Sequence, residues 1–170
     1  TLPAPSLFAN TAYRRLATGD VENATRIAQS SGDPLTLQVI DWLIATNLYE
    51  GSTSARMAQA MADLDGWPGR SLMQIRYEQA LIREAPTPAE AIAALSATPP
   101  AMEPSTLLYA RSLRNEGRSE EAAAFIANYW RTQSFSEEMA TTILAEFGDL
   151  LSQADLAYGM SRFLYDGQND

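Results

Sequence analysis

Four similar turns recur along the chain at an almost constant step. "GDVENA", Gly19 to Ala24, resembles "GRSEEA", Gly117 to Ala122, and the two lie 98 residues apart. "GSTSA" from Gly51 and "APTPAEA" from Ala85 fall between them, so the four turns are separated by 32, 34 and 32 residues. A period of roughly 33 residues holds two helices and their connections, and is the mark of a stacked helix-hairpin repeat. Each hairpin in such an array hides its apolar face only against its neighbours, which ties the fold to the repetition itself.

The stretches between the turns read as helices. Alanine, the strongest helix former, occurs throughout, alternating β-branched runs are missing, and glycine and proline separate periodic apolar segments. The pattern predicts about ten helices, over roughly Ser6 to Thr18, onward to Ser30, and from after "SGDP" with Leu37, Ile40, Ile44 and Leu48 on one face. The others run approximately Thr53 to Leu64, Arg70 to Arg83, Pro88 to Ala97, Ser105 to Asn115, Glu120 to Thr132, Glu137 to Phe147 and Gln153 to Tyr165. "TPAE" at Thr87 to Glu90 predicts a capping box with proline at the first helical position. "SEE" at Ser119 and at Ser136 predicts a hydroxyl cap before two carboxylates at a helix start. The expected fold class is all-α, a tetratricopeptide-like α-α superhelix or solenoid, as a single domain over residues 1–170. The full tetratricopeptide consensus is not present.

Charge and composition narrow the chemistry. The formal net charge is -9 and all 12 cationic residues are arginine, with "YRR" at Tyr13 to Arg15 the only adjacent pair. Such a balance repels phosphate backbones and anionic headgroups, so neither nucleic acid nor a membrane is expected as a partner. No run of 18 apolar residues could span a bilayer. The chain begins at Thr1 and carries no signal peptide, which raises the expectation that it was processed or cut from something longer. Histidine and cysteine are both absent. Ser-His-Asp and Cys-His catalysis, thiolate or imidazole zinc sites and disulfides are thereby excluded within this sequence, and no cofactor or metal is expected.

Carboxylate chemistry is the main option left. Glu120 with Glu121 and Glu137 with Glu138 are adjacent, so they diverge around a helix axis and fit dipole-stabilised helix starts better than a glycosidase acid and base. Asp63 and Asp65 fit a helix end facing solvent. Trp42 and Trp130 fit packing between hairpins. Trp67, in the "GWPG" turn, and Tyr77 are the candidates for contact with a sugar, with Tyr13 and Tyr109 equally open between core and surface. "LMQ" at Leu72 to Gln74 resembles a fragment of peptidoglycan-cleaving active sites, but no Glu-Ser dipeptide exists in the chain to supply the acid. Its setting instead predicts a repeat helix with Leu72, Ile75 and Ile82 on one face and Arg76 and Glu78 elsewhere around the axis.

Four longer stretches carry a family resemblance. "GWPGRSLMQIRYEQAL", with Trp67, Pro68, Gly69, Glu78, Ala80 and Leu81, resembles a pattern in the superhelical region of soluble lytic murein transglycosylases. "DPLTLQVIDW", Asp33 to Trp42, resembles the segment before it, and "EGRSEEAAAFIANYWR", with Gly117, Arg118, Ala122, Trp130 and Arg131, resembles a later repeat. "EFGDLLSQADLAYGMSRFLYDGQ" resembles a following stretch through Phe147, Gly148, Leu151, Asp155, Arg162, Leu164 and Gly167. Leu156, Gly159 and Tyr165 depart from it, standing where that family commonly has histidine, arginine and tryptophan. The resemblance implies a non-catalytic periplasmic scaffold whose parent carries a separate lysozyme-like domain that cleaves peptidoglycan glycan to a 1,6-anhydro product. Glycan strands or another protein are the implied partners. Under the alternative reading, the repeats form a free-standing interaction module whose acidic surface favours a basic partner. The polar end "DGQND" is expected to lead onward or to fray.

Overall fold

The computed structural model describes the backbone of residues 7–166 and the side chains of these except residue 160 and residues 162–166. All regular structure among them is helical: α1 (Leu7–Ala17), α2 (Val21–Ser30), α3 (Pro34–Thr46), α4 (Ser54–Asp63), α5 (Arg70–Arg83), α6 (Pro88–Leu95), α7 (Glu103–Asn115), α8 (Ser119–Thr132), α9 (Glu137–Phe147) and α10 (Gln153–Asp166), with a short 3-10 turn at Gly148–Leu150. The all-α repeat class expected from the turn spacing is what the chain adopts. Ser6, placed at the first helix start, and the residues after Asp166 in "DGQND" lie outside the described residues.

The chain divides into two compact units, the first ending at Ala85 and the second beginning at Pro86. Helices pack mainly on sequence neighbours, α1 on α2, α2 on α3, α3 on α4 and α4 on α5 in the first unit and α6 on α7 and α7 on α8 in the second, where α8 also packs on α10. Within the first unit, Leu16, Val21, Ile40, Ile44 and Met57 form the larger core, and Ala45, Ala60, Leu64 and Met73 a smaller one. In the second, Ile126, Trp130, Ile143 and Phe147 lead one cluster and Ile92, Leu113 and Ala122 another.

Hairpins are also tied by polar contacts at about the repeat length. In the first unit the Ser54 N–H and hydroxyl both donate to the Glu84 carboxylate, at 2.6 and 2.5 Å. In the second, the Ser136 N–H and hydroxyl donate to Glu103 in the same way, at 2.6 and 2.7 Å. These pairs are 30 and 33 residues apart. In both, a carboxylate from another repeat satisfies orphan donors at a helix start, a charge-assisted form of capping. Arg83 donates to the carbonyls of Tyr49 and Ser52, and Arg111 makes a two-point contact with Glu146 across 35 residues.

Local signals were good guides at several starts. Thr87 and Glu90 form the full capping box, and the Ser136 hydroxyl accepts from the Met139 N–H at 3.1 Å. At four other points the structure corrects the expectation. Ser119 is not a cap: Arg118 occupies the position before α8 and spends its guanidinium on a two-point contact with Glu121. Leu48 does not extend the apolar face of α3, because the helix stops at Thr46 with Asn47 extended, and Leu48 is exposed. On α5 the buried positions are Met73, Glu78, Ala80 and Leu81, while Leu72 is 41% exposed. Glu78, expected elsewhere around the axis from the apolar face, is fully buried and accepts from the Gln74 amide at 2.8 Å.

Candidate functional site

The first unit contains an open cleft of about 500 Å³ between α2 and the start of α4. Glu22, Thr25, Arg26 and Gln29 line it from α2, with Thr53 and Arg56 opposite. Positions 22, 25, 26 and 29 follow helical spacing and share one face, while Val21, Ala24 and Ala28 are buried. Gly51 closes the end. Its backbone lies so near the Gly19 carbonyl that a Cβ there would stand 2.5 Å from that oxygen, so two repeat turns touch at the cleft.

Arg56 links three helices. It donates to the Thr25 hydroxyl on α2, from Nη2 at 3.1 Å, and its Nη2 also pairs with the Asp41 carboxylate on α3. Asp41 is 2% exposed. Burial pushes its pKa above the usual carboxylate range, against the opposing pull of Arg56. A raised-pKa acid therefore exists in the chain, at a position the sequence did not single out. It has a cationic partner and is held as a structural ion pair.

The two candidate sugar-contact residues lie elsewhere. Trp67 is half-buried against Ala45, Ala60, Leu64 and Met73. Tyr77 is half-buried against the larger core of the first unit, where burial and then the negative charge of Glu78 raise its hydroxyl pKa. They belong to different clusters, and neither lines the cleft. Trp42 shares the Trp67 cluster, and its indole N–H donates to the Pro68 carbonyl at 3.0 Å. Tyr109 is half-buried in edge contact with Phe125, and Tyr13 is exposed.

A second polar joint stands in the second unit. The buried Trp130 indole donates to the Asp155 carbonyl at 2.8 Å and stacks on Phe135. The Asp155 carboxylate accepts from the Ser152 N–H at 3.1 Å and from its hydroxyl, and pairs with Arg131 at 2.7 Å. The Ser152 hydrogen bond, then the Arg131 charge, lowers the Asp155 pKa against the cost of burial. Gly159 packs flush on the same indole: a Cβ there would be 2.1 Å from Nε1.

These carboxylates do not form a hydrolytic pair. Glu120, Glu121, Glu137 and Glu138 are exposed at helix starts, as are Asp63 and Asp65 near the end of α4. Asp41 and Asp155 are each held by an arginine. Among the described residues no group of three His, Cys, Asp or Glu is placed to hold a metal ion, and no helix is long and apolar enough to cross a membrane. What the cleft can do chemically is bind, through guanidinium, carboxylate, amide and hydroxyl groups. Its residues carried one signal in the sequence, the polar helical spacing within "ENATRIAQ", which marks an outward face without revealing that another hairpin stands across from it. No protein-family model, no curated protein and no solved structure matches the chain.

Proposed function

We propose that the chain is the non-catalytic helical scaffold of a periplasmic peptidoglycan lytic transglycosylase, shaping the enzyme and helping to hold glycan strands or a partner during cell-wall turnover. One observation carries this reading: the four stretches that resemble the family meet in pairs as structural joints. Trp42 of "DPLTLQVIDW" donates to Pro68 of "WPG", and Trp130 and Arg131 of "NYWR" engage Asp155 of the last stretch. Residues whose partners are other parts of the same framework serve architecture, which accords with a region that supports chemistry done elsewhere. Trp67 and Tyr77, each half-buried, are the proposed glycan contacts.

A free-standing interaction module is the second reading. Leu35 and Val39, one turn apart on α3, are exposed, at 59% and 39%, as an apolar pair available to a partner.

The test is to incubate the purified chain with intact peptidoglycan sacculi, measuring co-sedimentation and released 1,6-anhydro muropeptides together. Binding without product is the expected result. Product would overturn the non-catalytic assignment, and neither binding nor product would favour the interaction module. A Glu-Ser motif followed by a "GLMQ"-type stretch further along the reading frame would independently support the transglycosylase.

A further inference from the structure

We propose that the α2/α4 cleft is a binding site for a short peptide with free termini, its carboxylate received by Arg26 and Arg56 and its ammonium by Glu22. The cleft volume of about 500 Å³ lies in the range of small-molecule sites. Its walls carry separate charges of both signs. Arg56 turns Nη2 and Nε towards Asp41 and Thr25, which fixes its guanidinium in the cleft wall. A guanidinium held this way is preorganised, and less rotamer freedom is lost when an anion arrives. Among the described residues neither Arg26 nor Glu22 has a salt-bridge partner, although both line the cleft. Asp20 also feels the charge of Arg26, but its carboxylate is already engaged by the Asn23 side chain and by Arg15.

The opposite charges one turn apart on α2 suit a ligand whose own charges are separated along its length. Glu22 and Arg26 stand one helical turn apart, about 6 Å between β-carbons. The charged ends of an extended dipeptide are about 7 Å apart, whereas those of a free amino acid are separated by a single α-carbon. Gln29 and Thr53 supply amide and hydroxyl groups for the peptide unit between the ends, and Val21 adds an apolar contact. The protein as a whole is acidic, so a ligand of balanced charge enters without the repulsion a simple anion would meet.

Titration of the isotope-labelled chain with Ala-Ala, followed by amide chemical shifts, tests this. Saturable shifts confined to residues 21–29 and 51–56 are expected. Ala-Ala amide, lacking the carboxylate, and N-acetyl-Ala-Ala, lacking the ammonium, should each bind about tenfold more weakly, the loss of one charge-assisted hydrogen bond. Arg26→Gln and Glu22→Gln, at exposed positions, should weaken Ala-Ala by a similar factor with an otherwise unchanged spectrum. Arg56→Gln is avoided because it would strand the buried Asp41 carboxylate. Absence of saturation at millimolar peptide, equal binding of either capped peptide, or unchanged affinity in Arg26→Gln would overturn the site. Free alanine binding as tightly as Ala-Ala would overturn the assignment to a peptide.

Discussion

The Trp130 indole rests directly on the backbone of Gly159, with no room between them for a methyl group. A Cβ at position 159 would stand 2.1 to 2.4 Å from three indole atoms, so α10 or the ring must shift. Alanine favours a helix over glycine by about 1 kcal/mol. Overpacking of this severity outweighs that gain, at about 2 to 3 kcal/mol. Gly159→Ala should therefore lower stability by roughly 1 to 2 kcal/mol net. An unchanged urea midpoint would show that the two are not in contact.

Truncating the other partner tests the same joint. Trp130 is 1% exposed, packs on Phe135 and donates to Asp155, so Trp130→Ala should cost about 3 to 5 kcal/mol. Trp67→Ala, at a half-buried ring, should cost clearly less. Equal losses in chemical denaturation would remove the distinction between a core ring and a surface one.

Gly51→Ala probes the contact between turns. The new Cβ would meet the Gly19 carbonyl at 2.5 Å, and that obstacle is backbone, which cannot swing aside. A loss of about 1 to 3 kcal/mol is expected, together with amide shift changes on both sides of the cleft. Changes confined to residue 51 and its chain neighbours would contradict the close approach.

Ala85 carries the opposite prediction. It has φ 50°, a left-handed conformation, and its N–H closes the end of α5 on the Ile82 carbonyl at 3.1 Å. Left-handed backbone costs an L-residue about 1 to 2 kcal/mol, which glycine avoids while adding about 0.5 to 1 kcal/mol of unfolded-chain entropy. Ala85→Gly should raise the melting midpoint slightly, by the equivalent of about 0.5 to 1 kcal/mol. A lowered midpoint would place the residue in another conformation.

Carboxyl carbon shifts followed against pH should separate the aspartates. Asp20, Asp33 and Asp155 should titrate below 3.8, each chiefly because a neighbouring side chain hydrogen-bonds to the charged form, and Asp41 above it because of burial. The first three then stabilise the fold above 3.8 and lose that contribution as pH falls through their folded values. Asp41 has the reverse sign: its contribution is present below 3.8 and lost as pH rises through its raised folded value. Asp41→Asn should remove only this last component of the pH dependence, and an Asp41 resonance titrating below 3.8 would contradict the burial.

The helices, the capping box at Thr87 and the 32 to 34-residue rhythm were legible in the sequence because helix formation and capping depend on residues within a turn of one another. Gly19, Ala85 and Gly117, three of the four periodic turn marks, all adopt the left-handed backbone that ends a helix. The faces were less legible. Glu78 is buried and Leu72 exposed on one helix, since which side of α5 meets α3 and α4 is settled by how hairpins stack and not by local pattern. The Ser54–Glu84 and Ser136–Glu103 clamps join residues 30 and 33 positions apart, and nothing within a single turn of chain selects those partners. The cleft follows the same rule: "ENATRIAQ" determined a polar helix face, but only the approach of Gly51 to Gly19 and of Arg56 to Thr25 gave that face an opposite wall.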